Sequence, residues 1–356
     1  MPQQWQVHQR ITNASRQSPE ALVNLELRDV PKPVPGPKET LVRIHAVALN
    51  ARDLLVLTSS PLYPVPTSAG LVPCSDAAGI VEELGTDSVW KAGDRVILHP
   101  NTWLNGRDER GFDITKAFGA GTVAGTLTEY MVVGDERLIK VPEHLSLEEA
   151  SVLPTAGSTA CHSLFFVPEQ PVGDGTWVLV QGTGGVSTIA IQLAAAAGAT
   201  VIATSSSDEK LALSKQLGAH HTINYRHTPN WEEEVTKMTD GKGVDFVLDV
   251  GGAGTIEHSL GSLRQGGIVS IVGILTPAKE IDIVPAILYG AKTVRGQLGS
   301  SKTMSEELVR RVDADKIRPV IAKTFEWREA KDAFELLMNQ SEVGKIVVKG
   351  VTAGSA

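Results

Sequence analysis

Two cysteines in 356 residues, Cys74 and Cys161, are too few for a disulfide framework or a cysteine-rich zinc site, and they fit a reducing compartment. The start of the chain, MPQQWQVHQRITNASRQ, lacks an apolar run, so no secretory signal is read and a cytoplasmic location is expected. Basic residues are in the minority: 33 Lys and Arg against 41 Asp and Glu give a net charge of -8, which argues against nucleic acid or an anionic membrane as main partner. The nine histidines show no metal-ligand spacing; His220 and His221 are adjacent and point to opposite faces of a strand. Cys161 and His162, neighbours on a helix, do not face each other as a nucleophile and base must. No GxSxG elbow and no GxxxxGK[ST] loop occurs, so hydrolase and P-loop readings have no support.

What is present is a chain too long for one small core, with 42% hydrophobic and 21% charged residues, as expected of a globular protein of two domains. Its centre is residues 176–210, TWVLVQGTGGVSTIAIQLAAAAGATVIATSSSDEK. Residues 177–180 form a short apolar run of the kind a buried parallel strand shows, and the run stops at Gly182, Thr183, Gly184 and Gly185. Beyond the glycines the period changes. Val186, Ile189, Ala190, Leu193, Ala194 and Ala197 make the stripe of a helix packed on a sheet, and Gly198 supplies its stop. Residues 200–204 read as the second strand. Residues 175–207 carry no charge and are long enough to cross a bilayer, but the glycines and the change of period mark a buried α/β core instead.

A strand, glycine turn and helix in this order bind a dinucleotide pyrophosphate: glycine lets the backbone approach the phosphates, and the unpaired N–H groups of the first helical turn carry partial positive charge toward them. Ser187 stands where the third glycine of the pattern packs helix on strand. NAD-specific folds place an acidic residue about 20 residues after the glycines. Here Ser205, Ser206 and Ser207 occupy the strand end, with Lys210 beyond, a set that suits a 2′-phosphate, so NADPH is expected over NADH. Asp208 is expected in the first turn of the next helix, complementing its dipole. Lys210 can also be read as an ordinary solvated helix lysine.

Residues 1–150 read as short strands broken by turns, with strands at 40–49, 79–84 and 95–98 and a polar, glycine-rich loop at 101–121 that is expected to be functional or mobile. After the centre, helices near 208–217, 231–239 and 254–263 alternate with strands at 222–225, 244–250 and 268–273. This is the pattern of a doubly wound parallel sheet. A run at 293–298 follows, then a helix expected to open on the capping box Thr303-x-x-Glu306, a helix striped by Ala330, Ala333, Phe334 and Leu337, and a closing strand at 345–348.

The motifs LVRIHAVALNARDL, PCSDAAGIVEELG, AGDRV, GTLTEYMVV, EEASVLPTAGSTA, VLVQGTGGVS, ATSSSDEK, INYR, LDVGG, GGIVSIVG and GKIVV, in this order from about Arg28 to Lys349, resemble the medium-chain dehydrogenase/reductase superfamily, and within it the zinc-independent quinone oxidoreductase and enoyl reductase branch. The resemblance implies an α/β protein with a GroES-like β-rich substrate domain over 1–150, completed by 300–356, a doubly wound Rossmann NADPH-binding domain over 151–299, and an active site in the cleft. Zinc-dependent members hold a catalytic metal with cysteine, histidine and cysteine. By motif alignment those positions here carry Asn50, Ser75 with Asp76, and Thr155, a poor zinc set, and the cysteines of the structural zinc lobe are missing, so no metal site is expected.

Without a metal, charge developing on a substrate carbonyl needs another donor. The resemblance implies Tyr63 in SPLYPVP and Asn50 in LNARD as the catalytic pair; the alternatives are a turn aromatic for Tyr63 and a local cap for Asn50. It implies Thr159 beside the nicotinamide, Tyr225 beside the 2′-phosphate, and Gly182, Thr183, Gly184, Gly185, Val186, Ser205, Ser206, Lys210, Val250, Gly273, Ile274 and Leu298 as further cofactor contacts. Cys74 lies near the cleft by family position, reactive or simply buried. The run KTVRGQL over 292–298 matches the strand through which similar proteins join two sheets, so a homodimer is expected, with Thr293, Arg295 and Gln297 keeping one face polar. The expected function is transfer of hydride from NADPH to an activated C=C bond or quinone, on a small-molecule substrate. The alternatives are an alcohol or carbonyl oxidoreductase of the same superfamily and a non-catalytic NADPH-gated sensor.

Overall fold

The computed structural model describes residues 1–169, 171–339 and 341–351, so the end of the expected 300–356 segment lies outside the described residues. The chain divides into two compact units, Thr159–Gly299 and a unit built from both chain ends, Met1–Ser158 with Ser300–Ala356. Among the described residues no helix is long and apolar enough to cross a membrane.

The central unit is a six-stranded parallel sheet in the order His221–Asn224, Thr200–Ser205, Trp177–Gln181, Val244–Asp249, Leu263–Ile271, Thr293–Gly296. Its central strands bury Val178, Leu179, Val180, Val201, Ile202, Val247 and Leu248 completely, as strands covered on both faces must. The helix Gly185–Ala196 lays Ile189, Ala190, Leu193 and Ala194 on this sheet and ends before Gly198, whose φ of 88° is the left-handed stop expected of glycine. Strand order reverses between Trp177–Gln181 and Val244–Asp249. In open α/β sheets ligands bind outside the carboxyl ends of strands at such a reversal.

The other unit is a GroES-like β domain. Its main sheet runs Ile321–Phe325, Lys345–Lys349, Glu39–Ala48, Asp76–Leu84, Arg95–Leu98, Leu138–Lys140, with Tyr130–Gly134 also pairing Glu39–Ala48. The closing strand therefore lies antiparallel beside an early one, Val347 opposite Ala48 and Val348 opposite Val47. Leu41, Ile44, Leu54, Leu57 and Leu98 are fully buried, and the helix Ala330–Asn339 adds Ala330, Ala333 and Phe334 from the expected stripe.

Several expectations are corrected. The boundary between units falls after Ser158 rather than at 150, because Asp76 holds Thr155 and the Ser158 hydroxyl meets that of Ser305 at 2.8 Å, which ties 151–158 to the β domain. The helix Lys302–Ala314 opens on Ser301, whose hydroxyl accepts from the Met304 N–H; Thr303 lies inside its first turn, where both its N–H and its hydroxyl donate to the Leu104 carbonyl. The edge strand stops at Gly296. Gln297 is buried instead of facing solvent, its amide oxygen accepting from Ser163 and its nitrogen donating to the Thr159 carbonyl. The 101–121 loop is tied down at several points: Asn101 donates to the Ser300 carbonyl, the buried Trp103 indole donates to the Asn105 carbonyl, and the Ser301 hydroxyl donates to Gly106.

Candidate active site

At the carboxyl end of the strand Trp177–Gln181, Gly182 adopts φ 72°, which a residue with a side chain rarely tolerates. Gly184 is different: its φ is -74°, and nothing lies within 4 Å of where a Cβ would stand. No protein contact requires glycine there, and the space beside it is open. No side chain caps the helix Gly185–Ala196, so the N–H groups of its first turn have no side-chain acceptor at the cap. Ser187, in the place of the third glycine, is buried with its hydroxyl donating to the Gln181 carbonyl at 2.7 Å; the extra atom is absorbed by capping the strand. Thr183 is buried and Val186 half-buried beside it.

Across the reversal, Asp249 ends its strand fully buried. One carboxylate oxygen accepts from the Gly252 N–H and the Thr255 hydroxyl, both at 2.8 Å, and the other from the Ser259 hydroxyl at 2.5 Å and the Gln181 amide at 3.2 Å. This carboxylate clamps the two strand ends to the turn that carries Val250. Gly273 packs on the Val250 carbonyl, which a Cβ there would meet at 2.5 Å, and Ile274 and Leu298 follow with more than half their surface exposed.

At the end of the second strand Ser205 is buried, and its carbonyl accepts from the Tyr225 N–H, which brings Tyr225 beside Ser205 and Ser206. Lys210 is half-buried in the first turn of the helix Asp208–Gln216. Asp208 and Glu209 head that helix, Asp208 as expected, and the Asp208 carboxylate accepts from the Asn224 amide of a neighbouring strand at 2.7 Å.

The β domain gathers the other predicted residues into one polar cluster. Asn50 stands at the N-cap of the helix Ala51–Leu57, where the Asp53 carboxylate accepts from the Asn50 backbone N–H at 2.7 Å. The Asn50 side-chain oxygen accepts from Lys345 Nζ at 2.7 Å, and its nitrogen is buried with no hydrogen-bond partner. Tyr63 is half-buried; its hydroxyl accepts from the Arg52 guanidinium at 2.6 Å, and the same guanidinium donates to the Phe118 and Gly119 carbonyls at 2.8 and 2.6 Å. Burial raises the Tyr63 hydroxyl above its ordinary pKa, with Arg52 acting in the opposite direction. A guanidinium has only donors, so it occupies a lone pair of the phenol oxygen and leaves the phenol proton to another acceptor. Cys74 is fully buried, and burial pushes its thiol well above the ordinary value, so it is a packed thiol rather than a reactive one.

Of the residues at the family's metal positions, Ser75, Asp76 and Thr155 are engaged with each other. Asp76 accepts from the Ser75 hydroxyl at 2.7 Å, from the Thr155 N–H at 2.9 Å and from the Thr155 hydroxyl. Thr155 reaches it from a π-helical turn, Leu153–Gly157. Among the described residues no group of three or more His, Cys, Asp or Glu is arranged to hold a metal ion. One carboxylate already accepting three hydrogen bonds, two hydroxyls and an amide do not fit zinc.

Sequence reasoning missed Arg52, Asp53, Lys345 and Asp249. For Lys345 the signal was a lone cation in the apolar run GKIVV; for Asp249, a carboxylate directly after the apolar run Phe246, Val247 and Leu248. Asp53 is fully buried, and burial lifts its carboxyl to about 6, with Arg52 and the Asn50 N–H offsetting part of the effect. Its folded pKa lies above the value of 3.8 for an exposed group, so between about pH 4 and 6 the folded protein keeps a proton that the unfolded chain releases, and stability falls as pH rises through that window. Urea unfolding of the parent and Asp53→Asn is expected to show the variant gaining on the parent by up to about 1.4 kcal/mol per pH unit across this range. Parallel curves would show that Asp53 titrates normally.

A dinucleotide-type turn in one unit and a polar cluster in a GroES-like β unit define an oxidoreductase architecture. Residues 36–143 match the family model of the alcohol dehydrogenase GroES-like domain, and residues 185–314 that of the zinc-binding dehydrogenase. A zinc-type alcohol dehydrogenase-like protein of Schizosaccharomyces pombe is 39% identical over 349 residues, covering 96% of this chain and 98% of that protein. The quinone oxidoreductase of Mus musculus is 28% identical over 333 residues, covering 90% and 92%. A solved structure described as an NAD-dependent alcohol dehydrogenase superposes with a TM-score of 0.85 at 32% identity, covering 99% of this chain and all of that one. The chain belongs to the medium-chain dehydrogenase/reductase superfamily, whose oxidoreductases use nicotinamide cofactors.

Proposed function

We propose that the protein is an NADPH-dependent reductase of an activated C=C bond or a quinone that works without zinc. One observation carries this reading: where zinc-dependent relatives place metal ligands, this chain has a carboxylate engaged by Ser75 and Thr155, while two donors in the same unit, the Tyr63 hydroxyl and the Asn50 amide nitrogen, keep hydrogens to give. The cofactor supplies hydride when bound. Gly182, Thr183, Gly184, Gly185 and Val186 would hold its pyrophosphate, Ser205, Ser206, Lys210 and Tyr225 its 2′-phosphate, and Thr159, Val250, Gly273, Ile274 and Leu298 its nicotinamide half. As a conjugated substrate is reduced, charge moves to its carbonyl oxygen, and Tyr63 and Asn50 donate to that oxygen from positions set before the reaction.

The test is oxidation of NADPH by a panel of enones and quinones, run beside oxidation of alcohols with NADP+. The second panel is needed because alcohol dehydrogenases stand among the relatives. Turnover of alcohols alone would replace the reading with the alcohol one, and binding of NADPH with no turnover would favour a sensor.

Cofactor choice follows from the serines, Lys210 and the occupied Asp208. Lys210→Ala is expected to weaken NADPH far more than NADH, by roughly 1.5 to 3 kcal/mol for a lost hydrogen bond to a charged group. Isothermal titration with both cofactors checks this, and equal parent affinities would remove its basis.

The same reading includes a homodimer. The edge strand Thr293–Gly296 pairs, among the described residues, only with Leu263–Ile271, and the preceding helix Val284–Gly290 leaves Val284, Leu288 and Tyr289 each at least 66% exposed. An open edge beside an apolar helix face is what a symmetric partner covers. Native mass spectrometry is expected to return the mass of two chains with no zinc; a single chain, or about one zinc per chain, would overturn the respective half of the prediction.

A further inference from the structure

Lys345 is the least expected side chain of the β domain. It sits in the closing strand among Ile346, Val347 and Val348, only 6% exposed, and its ammonium donates to the Leu49 carbonyl and to Asn50 Oδ1. Among the described residues no carboxylate lies within ion-pair distance; Asp53 and Asp76 act on it only through longer-range attraction, and burial dominates, lowering its pKa. A buried cation so poorly compensated is unfavourable, and packing alone would be better served by an apolar residue.

The chemistry of the contact gives it a use. A carboxamide has one acceptor end and one donor end, and an ammonium has donors only. With Lys345 in place the Asn50 oxygen must face the lysine, so the nitrogen faces the opposite way. That nitrogen is buried and unpartnered, in a side chain itself 9% exposed. We propose that Lys345 is a positioning residue that fixes the Asn50 carboxamide with its N–H groups presented to the substrate oxygen. The inference rests on Asn50 serving as a donor in the proposed reduction. Without the lysine the amide is free to turn, and its oxygen then repels the charge that the nitrogen is there to stabilise.

The test is a double-mutant cycle on a substrate that the parent reduces. Lys345→Met is expected to lower kcat roughly 10-fold with KM and the NADPH dissociation constant unchanged. Asn50→Ala is expected to lower kcat at least as much, and the double variant no further than Asn50→Ala alone. If Asn50→Ala is impaired but Lys345→Met is not, or the two losses multiply, the positioning role is wrong while the donor role stands. If Asn50→Ala keeps full kcat, the donor reading fails and takes this inference with it. Should Lys345→Met not fold, Lys345→Gln, an uncharged donor, carries the same cycle with a smaller loss. A readout independent of turnover is the side-chain amide resonance of Asn50 in 15N-labelled protein, assigned by its disappearance in Asn50→Ala. It is expected to shift in the lysine variant, and an unmoved resonance overturns the proposal.

Discussion

Tyr63→Phe is expected to lower kcat by roughly 10- to 1000-fold while NADPH still binds, the upper end being the effect of losing one oxyanion donor. The substitution removes one hydroxyl and almost no volume, and the ring keeps its place beside Arg52, whose guanidinium carbon lies 5.2 Å from the ring centroid. Arg52 also keeps two carbonyl acceptors, Phe118 and Gly119, so its charge is not stranded when the phenol oxygen goes. The loss therefore reports on the phenol proton rather than on a collapsed loop. Initial-rate kinetics on a substrate the parent reduces, with cofactor binding followed by fluorescence, make the measurement. An unchanged kcat would reduce Tyr63 to a packed turn residue and leave Asn50 as the donor.

Asp249→Ala is expected to cost at least about 3 kcal/mol of stability and to weaken the cofactor sharply. The carboxylate is fully buried and accepts from Gly252, Thr255, Ser259 and Gln181. Removing it leaves several buried donors without an acceptor, each worth roughly 1 to 3 kcal/mol when stranded. The turn it anchors includes Gly252, held at φ 80°, and it sits at the strand reversal opposite Gly182. Urea unfolding paired with NADPH titration separates the two effects. Stability within about 1 kcal/mol of the parent would mean that the network relaxes around the gap.

The central βαβ unit was legible because its signals are local: an apolar run, a glycine cluster, a change from strand to helix period, and a glycine stop all lie within residues 176–210. Asn50 and Tyr63 were singled out as candidates by motif resemblance, which carries a residue's place but not its partners. What stayed hidden depends on atoms far apart in sequence. Nothing near Lys345 in GKIVV announces that its ammonium crosses to residue 50, and LDVGG does not show that Asp249 collects donors from Gln181 and Ser259. Thr303-x-x-Glu306 fits a capping box as well as any, yet Ser301 is the cap, because the 101–121 loop binds Thr303 from outside the helix. Gln297 was misplaced for a similar reason: alternation predicts a side for each side chain, but Ser163 supplied a buried partner that pattern alone does not reveal.

The pairing of Lys345–Lys349 with Glu39–Ala48 also orders events during synthesis. The unit Thr159–Gly299 is continuous in the chain and can close as soon as it leaves the ribosome, whereas the β domain waits for a strand that follows that unit. Until that strand arrives, the sheet has an open edge at residues 46–48 and the Asn50 carboxamide has no ammonium against it. The unit Thr159–Gly299 is thus complete before the partner of Asn50 exists, and one later strand both seals the sheet and brings the Lys345 ammonium to the Asn50 carboxamide.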